Sequence, residues 1–281
     1  MPKGRAVAVN PSQLPFAEAL SFFKDKLNLP TQKWDDLLGS AHDRAFVVAG
    51  VMLADLLADL RAAVDQAMTD GQTLESFRRD FSKIVTDRGW LQDKTKNYLA
   101  WRARIIYDTN LFTAYSAGRY QQLKDVAEQR PYWRYRHSDA SVVPRPAHVA
   151  WDGIILRHDD VWWTHRWPPC GWGCKCYAES LSEREMKKSG LTVTPAADIP
   201  YNGTVTVVDK KTGEVTTLPE GVDRGWDYAP GASVAAPLAG LLKDRAVVWP
   251  PELTAAVAAF LKPALSAETW VAIATVLGIA A

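Results

Sequence analysis

Six of the twelve tryptophans, Trp133, Trp151, Trp162, Trp163, Trp167 and Trp172, fall within forty residues, with all three cysteines and four of the five histidines beside them. Each buried indole removes roughly 150–250 Å² from water, so a stretch this dense in rings has to build a core of its own. Three cysteines, an odd number, exclude a disulfide framework and suit a reducing compartment. The thiols are therefore buried side chains, metal ligands or reactive groups.

The rest of the composition is ordinary. A chain of 281 residues makes one large domain or two small ones and buries a core without staples. With 33 basic and 32 acidic residues the net charge is +1, so no whole-molecule field draws it to nucleic acid or a membrane. Met1–Asn10 lacks the apolar core of a secretion signal, and Trp270–Ala281, the most apolar stretch, is too short to span a bilayer. A soluble intracellular protein with no membrane partner is expected.

The first third, residues 1–92, reads as helical. Pro15 suits a first helical turn, and Phe16, Ala19, Leu20, Phe23 and Leu27 follow the spacing of one helix face. Ser40 and Asp43 read as a cap and a first-turn acid. They precede a stripe of Phe46, Ala49, Leu53, Leu56, Leu57, Leu60, Val64 and Met68, which stops at Gly71. Thr73 opens a helix with Leu74, Phe77, Phe81 and Ile84 inward. A long helix is expected from about Lys94 to about Glu128, with Asn110 on its inner face as a structural amide in need of a partner.

After Pro131 the period drops to two. Trp133 and Tyr135 alternate with Arg134 and Arg136, which predicts a half-buried strand. Ser141–Ala147 reads as loop and Gly153–Leu156 as a second strand. Thr204–Val208 and Glu214–Leu218, flanking a turn that contains Lys210, Lys211 and Thr212, predict a hairpin. Residues 192–231 thus comprise a hairpin and an ordered loop. Residues 232–281 read as an alanine-rich, weakly structured tail with helical patches. Helices first and strands later make the fold class α+β: a helical N-terminal region, a small mixed α+β domain over 93–191, and a β-hairpin.

The chemistry concentrates between Arg145 and Cys176. Cys174 and Cys176 can present two thiolates to one ion, and a structural zinc takes four nitrogen or sulfur ligands. Cys170 and either His148 or His165 complete the local supply. Such an ion contributes on the order of 10–16 kcal/mol of apparent folding free energy in small modules. The competing reading is a set of buried, reduced thiols in an aromatic core, with a redox or nucleophilic cysteine as a third. His148 and Asp152 at a four-residue spacing also fit a general base and its orienting acid, although Pro144, Pro146 and Gly153 speak against a regular helix there. In the bland alternative His148 pins the loop while Asp152 and Gly153 make the turn. Between Lys94 and Arg145 ten basic residues face four acidic ones. Arg134, Arg136 and Arg145, interleaved with tyrosine and tryptophan, are the candidate phosphate contacts; a solvated surface is the alternative.

The block from Arg145 to Cys176, with His148-x-x-x-Asp152-Gly153 followed by Pro168-Pro169-x-Gly171-Trp172-Gly173-Cys174-Lys175-Cys176, resembles the phage head morphogenesis domain of Mu F-like minor head proteins. Arg104–Asn110 with Ala114, Ala117 and Gly118 is similar to the opening helix of that domain. Phe16–Lys26, Ala45–Gly50 and Gly221–Gly231 are similar to Mu-like members in particular, so the resemblance runs from Phe16 to Gly231. Many relatives carry His-Pro where this chain has Gly171-Trp172. The resemblance implies a non-enzymatic minor head protein, made in the host cytoplasm and carried in the virion head. Its implied place is the portal vertex, its implied partners are the portal, scaffold or major capsid protein and phage DNA, and residues 1–92 are the implied docking element. The rival expectation is a metal-dependent nuclease or toxin-like hydrolase using His148, Asp152 and the cysteines, without a further catalytic module after Leu191.

Overall fold

Phe22 and Phe23 project from α1 (Ala17–Lys24) into the first core of the computed structural model, which describes residues 16–141, 143–209 and 213–280. Pro15, Lys210–Thr212 and Ala281 lie outside the described residues. Helices α2 (Ala54–Asp70), α3 (Leu74–Asp87) and the long α4 (Lys96–Asp125) complete this core with Leu56, Leu57, Leu60, Val64, Phe77, Phe81, Ala103 and Ile106. Local signals set the ends of these helices. The Thr73 and Thr95 hydroxyls accept from the backbone N–H of Ser76 and Tyr98, and Gly71 closes α2 in the left-handed region. Gly118 allows α4 to run against α1, since a Cβ there would stand 2.8 Å from the Ala19 nitrogen. The apolar stripes between Phe16 and Trp90 are therefore mostly used inside the chain, with Leu53 left exposed.

The expected helix from Phe46 differs in its first part. Gly39–Asp43 is a 3₁₀ turn, and β2 (Ala45–Phe46) pairs in parallel with β1 (Leu27–Asn28) before α2 begins at Ala54. Gly50 at φ +81° and the bridge between Thr31 and Val51 break the helical path.

The middle of the chain follows its period-two pattern. Strand β3 (Tyr132–Arg136) lies between β4 (Ile155–Arg157) and β5 (Tyr177–Leu181), antiparallel to both. Trp133 and Tyr135 point into a second core, and the arginines point outward. Pro146 sits in the first turn of a short helix, α5 (Pro146–Ala150), where its missing N–H costs nothing, so the expected loop is helical at its end. Helices α6 (Trp162–Arg166) and α7 (Glu183–Ser189) flank the sheet. Strands β6 (Thr204–Val208) and β7 (Val215–Pro219) form the expected hairpin, with Val205, Val207, Val208 and Val215 exposed.

The tail is more ordered than its composition predicts. Helices α8 (Leu238–Ala246), α9 (Pro251–Leu261) and α10 (Ala267–Leu277) pack together and onto Leu29, Leu37 and Ala41. Apolar faces supplied by the distant N-terminal loop make this third core. The fold is α+β, and no helix among the described residues is long and apolar enough to cross a membrane.

Candidate functional site

The aromatic cluster is a continuous edge-to-face network. Trp133 meets Trp167 at 4.9 Å between ring centroids, Trp163 at 5.7 Å and Tyr120 at 5.8 Å. Tyr135 meets Trp151 at 5.6 Å, and Trp162 links Trp151 to Trp163. Edge-to-face pairs add about 0.5–1.5 kcal/mol each beyond their burial. The polar edges are partly tied down. Trp167 donates to Ser116 Oγ at 2.7 Å, Ser116 donates to the Pro168 carbonyl, and Trp151 donates to the Pro200 carbonyl at 2.9 Å. Arg166 lies over the Trp151 and Trp162 rings and donates to the Gly203 carbonyl.

Beneath this network lie the thiols. His148 stacks on Trp151, and its Nε2 stands 2.8 Å from the Gly221 carbonyl. That bond places the proton on Nε2 and turns the Nδ1 lone pair toward the sulfurs. Nδ1 is 3.5 Å from Cys174 Sγ and 3.8 Å from Cys176 Sγ. One ligating atom from each of His148, Cys174 and Cys176 falls within 4.8 Å of the other two. His148 and Cys174 are each 2 % exposed and Cys176 7 %. The hydrogen bond between the two thiols pulls Cys176 below the usual thiol range, helped by His148, and holds Cys174 above it. Burial raises the Cys170 thiol as well.

A loop clamp closes the site from the outside. Asp223 accepts from Arg145 Nη2 at 2.6 Å and from the Trp172 backbone at 3.0 Å, while its own N–H reaches the Cys170 carbonyl. Gly171 leaves the space this needs, because a Cβ there would collide with the Asp223 carboxylate.

The model of the family described as Phage Mu protein F like protein matches residues 58–179, from within α2 to β5. Protein F of Escherichia phage Mu, named for capsid assembly, is 33 % identical over 247 residues, covering 79 % of this chain and 55 % of that protein. The Mu-like prophage FluMu F protein of Haemophilus influenzae is 34 % identical over 221 residues, covering 72 % of this chain and 53 % of that protein.

The chain belongs to the Mu F-like family.

This Mu F-like chain spans about half the length of those two relatives. No solved structure matches it.

Within the Mu F-like module the expected site residues divide sharply. His148, Cys174 and Cys176 converge. Cys170 stands outside that group, its thiol directed at the Arg166 carbonyl at 3.3 Å. His165 faces the Asp227 carbonyl, away from the thiols. The His148–Asp152 acid–base pair does not form, since both imidazole nitrogens face other groups. Asp152 instead accepts from Arg136 Nε at 3.0 Å and from the His137 backbone at 2.9 Å, tying down the end of β3. Gly153, at φ +89°, makes the turn and donates to the Tyr135 carbonyl.

The arginines proposed as phosphate contacts each face a carboxylate. Arg134 and Arg136 converge on Glu179 across the β3–β5 pair, and Arg145 holds Asp223. Asn110 finds its partner on its own helix, donating to the Ile106 carbonyl at 2.8 Å. Trp172 is 39 % exposed and stands apart from the network, against Trp34 and Trp226. Trp226 takes a place in the aromatic core from the Gly221–Gly231 loop.

Three residues escape sequence reasoning. Asp223 and Glu179 are ordinary acids until the fold sets them opposite arginines. His137 lies just past β3, with Nδ1 3.5 Å from Cys176 Sγ. The strand register is the signal that would have found it: Arg136 pairs with Tyr177, so the next step outward sets His137 opposite Cys176.

Proposed function

We propose that this chain is a structural component in the assembly of a phage or prophage head, acting at the portal vertex with the portal protein as its partner, and with scaffold or major capsid protein beside it. The name of its phage Mu relative supplies the assembly role. The observation that carries a structural reading is the burial of the chemistry-bearing residues: His148, Cys174 and Cys176 lie under the tryptophans and behind the Arg145–Asp223 clamp. A buried set of this kind serves rigidity, whereas turnover needs a reacting atom to reach the base and nucleophile. DNA contact through Arg134, Arg136 and Arg145 is not included, because carboxylates already hold those charges. The work takes place in the host cytoplasm and the product remains with the head.

The test uses the full chain, since α1 to α3 share one core with α4 and a truncation would open it. The protein is co-expressed with the portal and major capsid proteins of the same genome, and the assemblies are separated on a density gradient. Co-sedimentation with the portal oligomer, and heads that fail to mature without the chain, are expected. Sedimentation only with portal-free shells would overturn the portal placement, and normal heads in its absence would overturn the assembly role.

A further inference from the structure

We propose that His137, His148, Cys174 and Cys176 form one Cys₂His₂ site for a structural zinc ion, with His137 rather than Cys170 as the fourth ligand. This goes beyond the assembly role and does not depend on it.

Three sulfur–nitrogen edges match those of a coordination tetrahedron; His137 approaches Cys176 but stands outside the set of three whose ligating atoms all lie within 4.8 Å, so its ring has to close onto the ion. Zinc bonds of about 2.3 Å to sulfur and about 2.0–2.1 Å to nitrogen, at tetrahedral angles, set each sulfur–nitrogen edge at about 3.6 Å. The three such edges seen here are 3.5 Å for His148–Cys174, 3.8 Å for His148–Cys176 and 3.5 Å for His137–Cys176. Each ligand is brought in by a different local device. The end of β3 carries His137, which Asp152 fixes by accepting its backbone N–H. Helix α5 carries His148, whose tautomer the Gly221 carbonyl sets. The Cys-x-Cys step places both thiols on one side and sends Lys175 the other way, onto the Phe112 ring at 4.8 Å.

Charge and burial agree with this ion. Two thiolates cancel its two positive charges and their protons leave to water, so a neutral unit sits in the core. Cys170 is fully buried with its thiol turned to a backbone carbonyl, which leaves it a packing role. The Tyr135 ring, edge-to-face with both His148 and Trp151, walls the site on the core side.

The experiment measures zinc in the full chain, purified without chelator, by elemental analysis, and then replaces it with cobalt(II). One zinc per chain and a tetrahedral cobalt spectrum with charge-transfer intensity for two thiolates are expected. Stripping the wild-type protein with a strong chelator should lower Tm by on the order of 20 °C or more, and added zinc should restore it. C170A should keep full stoichiometry and the same cobalt spectrum. H137A, whose ring lies at the edge of the core, should weaken zinc retention at least tenfold and shift the cobalt bands. A wild-type chain with no bound metal that gains no thermal stability from added zinc would refute the site. Loss of the ion in C170A with full retention in H137A would refute the ligand set.

Discussion

Arg145 Nη2 lies 2.6 Å from Asp223 Oδ2, across 78 positions of sequence, and the same nitrogen also donates to the Trp172 carbonyl. One guanidinium thus joins the loop before α5, the Cys170–Trp172 turn and the Gly221–Gly231 loop. Removing it leaves the Asp223 carboxylate with the Trp172 N–H as its donor. Arg145→Ala and Asp223→Asn are each expected to cost about 1–2 kcal/mol and to lower Tm by roughly 2–4 °C per kcal/mol. The pair is about one-third exposed, which keeps the figure at the modest end. A double-mutant cycle in thermal denaturation measures the coupling, and additivity of the two losses would show that the clamp is not a unit. Affinity for duplex DNA across a salt series should be the same in Arg145→Ala and wild type.

Trp167 depends on one hydroxyl. Ser116→Ala leaves the indole N–H buried without an acceptor and is expected to cost about 1–3 kcal/mol, read as a lowered midpoint in denaturant. Trp133→Ala, at a fully buried ring in the centre of the network, is expected to cost about 3–5 kcal/mol and to collapse the near-ultraviolet circular dichroism.

Gly118 reverses the usual helix rule. Alanine in place of a mid-helix glycine ordinarily stabilises by about 1 kcal/mol. Here the added methyl meets the Ala19 backbone nitrogen and the Phe16 ring at 2.8 Å, and the backbone cannot swing aside as a side chain can. Gly118→Ala is therefore expected to destabilise by about 1–3 kcal/mol. A raised Tm would mean that α1 does not dock as described.

His42 imposes a pH dependence. Burial and the nearby Lys26 charge lower its imidazole to about 4, while the Leu37 carbonyl holds the ring by a hydrogen bond at 3.1 Å. Between about 4 and the usual 6.5 the unfolded chain takes up a proton that the folded chain refuses, so stability falls as pH drops through this window. The loss attributable to this ring is about 3 kcal/mol at most. Comparing Tm from pH 7 to 4.5 in wild type and His42→Gln isolates the contribution. The difference between them should shrink steadily toward low pH, and a constant difference would contradict it.

The candidate site shows where legibility in the sequence ends. Cys174 and Cys176 stand out because a two-residue step repeats one side of an extended chain, and His148 because it shares their block. His137 does not stand out, since its partner lies 39 positions away and only the β3–β5 register brings them together. Arg134, Arg136 and Arg145 read as free cations for the same reason: their acids come from β5 and from the loop after the hairpin. Charge counted along one segment omits the charges that folding adds from elsewhere.

Local backbone chemistry settled the parts of this chain that the residues alone reveal. Threonine caps opened α3 and α4, Gly71 closed α2, period-two alternation made β3, and β-branched runs around a turn made β6 and β7. Each of these depends on neighbours within a few positions. The turn of Ala45–Phe46 into a parallel strand, the packing of α8–α10 on Leu29 and Leu37, and the meeting of two imidazoles with two thiols were decided by tertiary structure. Their energies come from surfaces and polar groups far apart in the chain, which exist as partners only after the cores have closed.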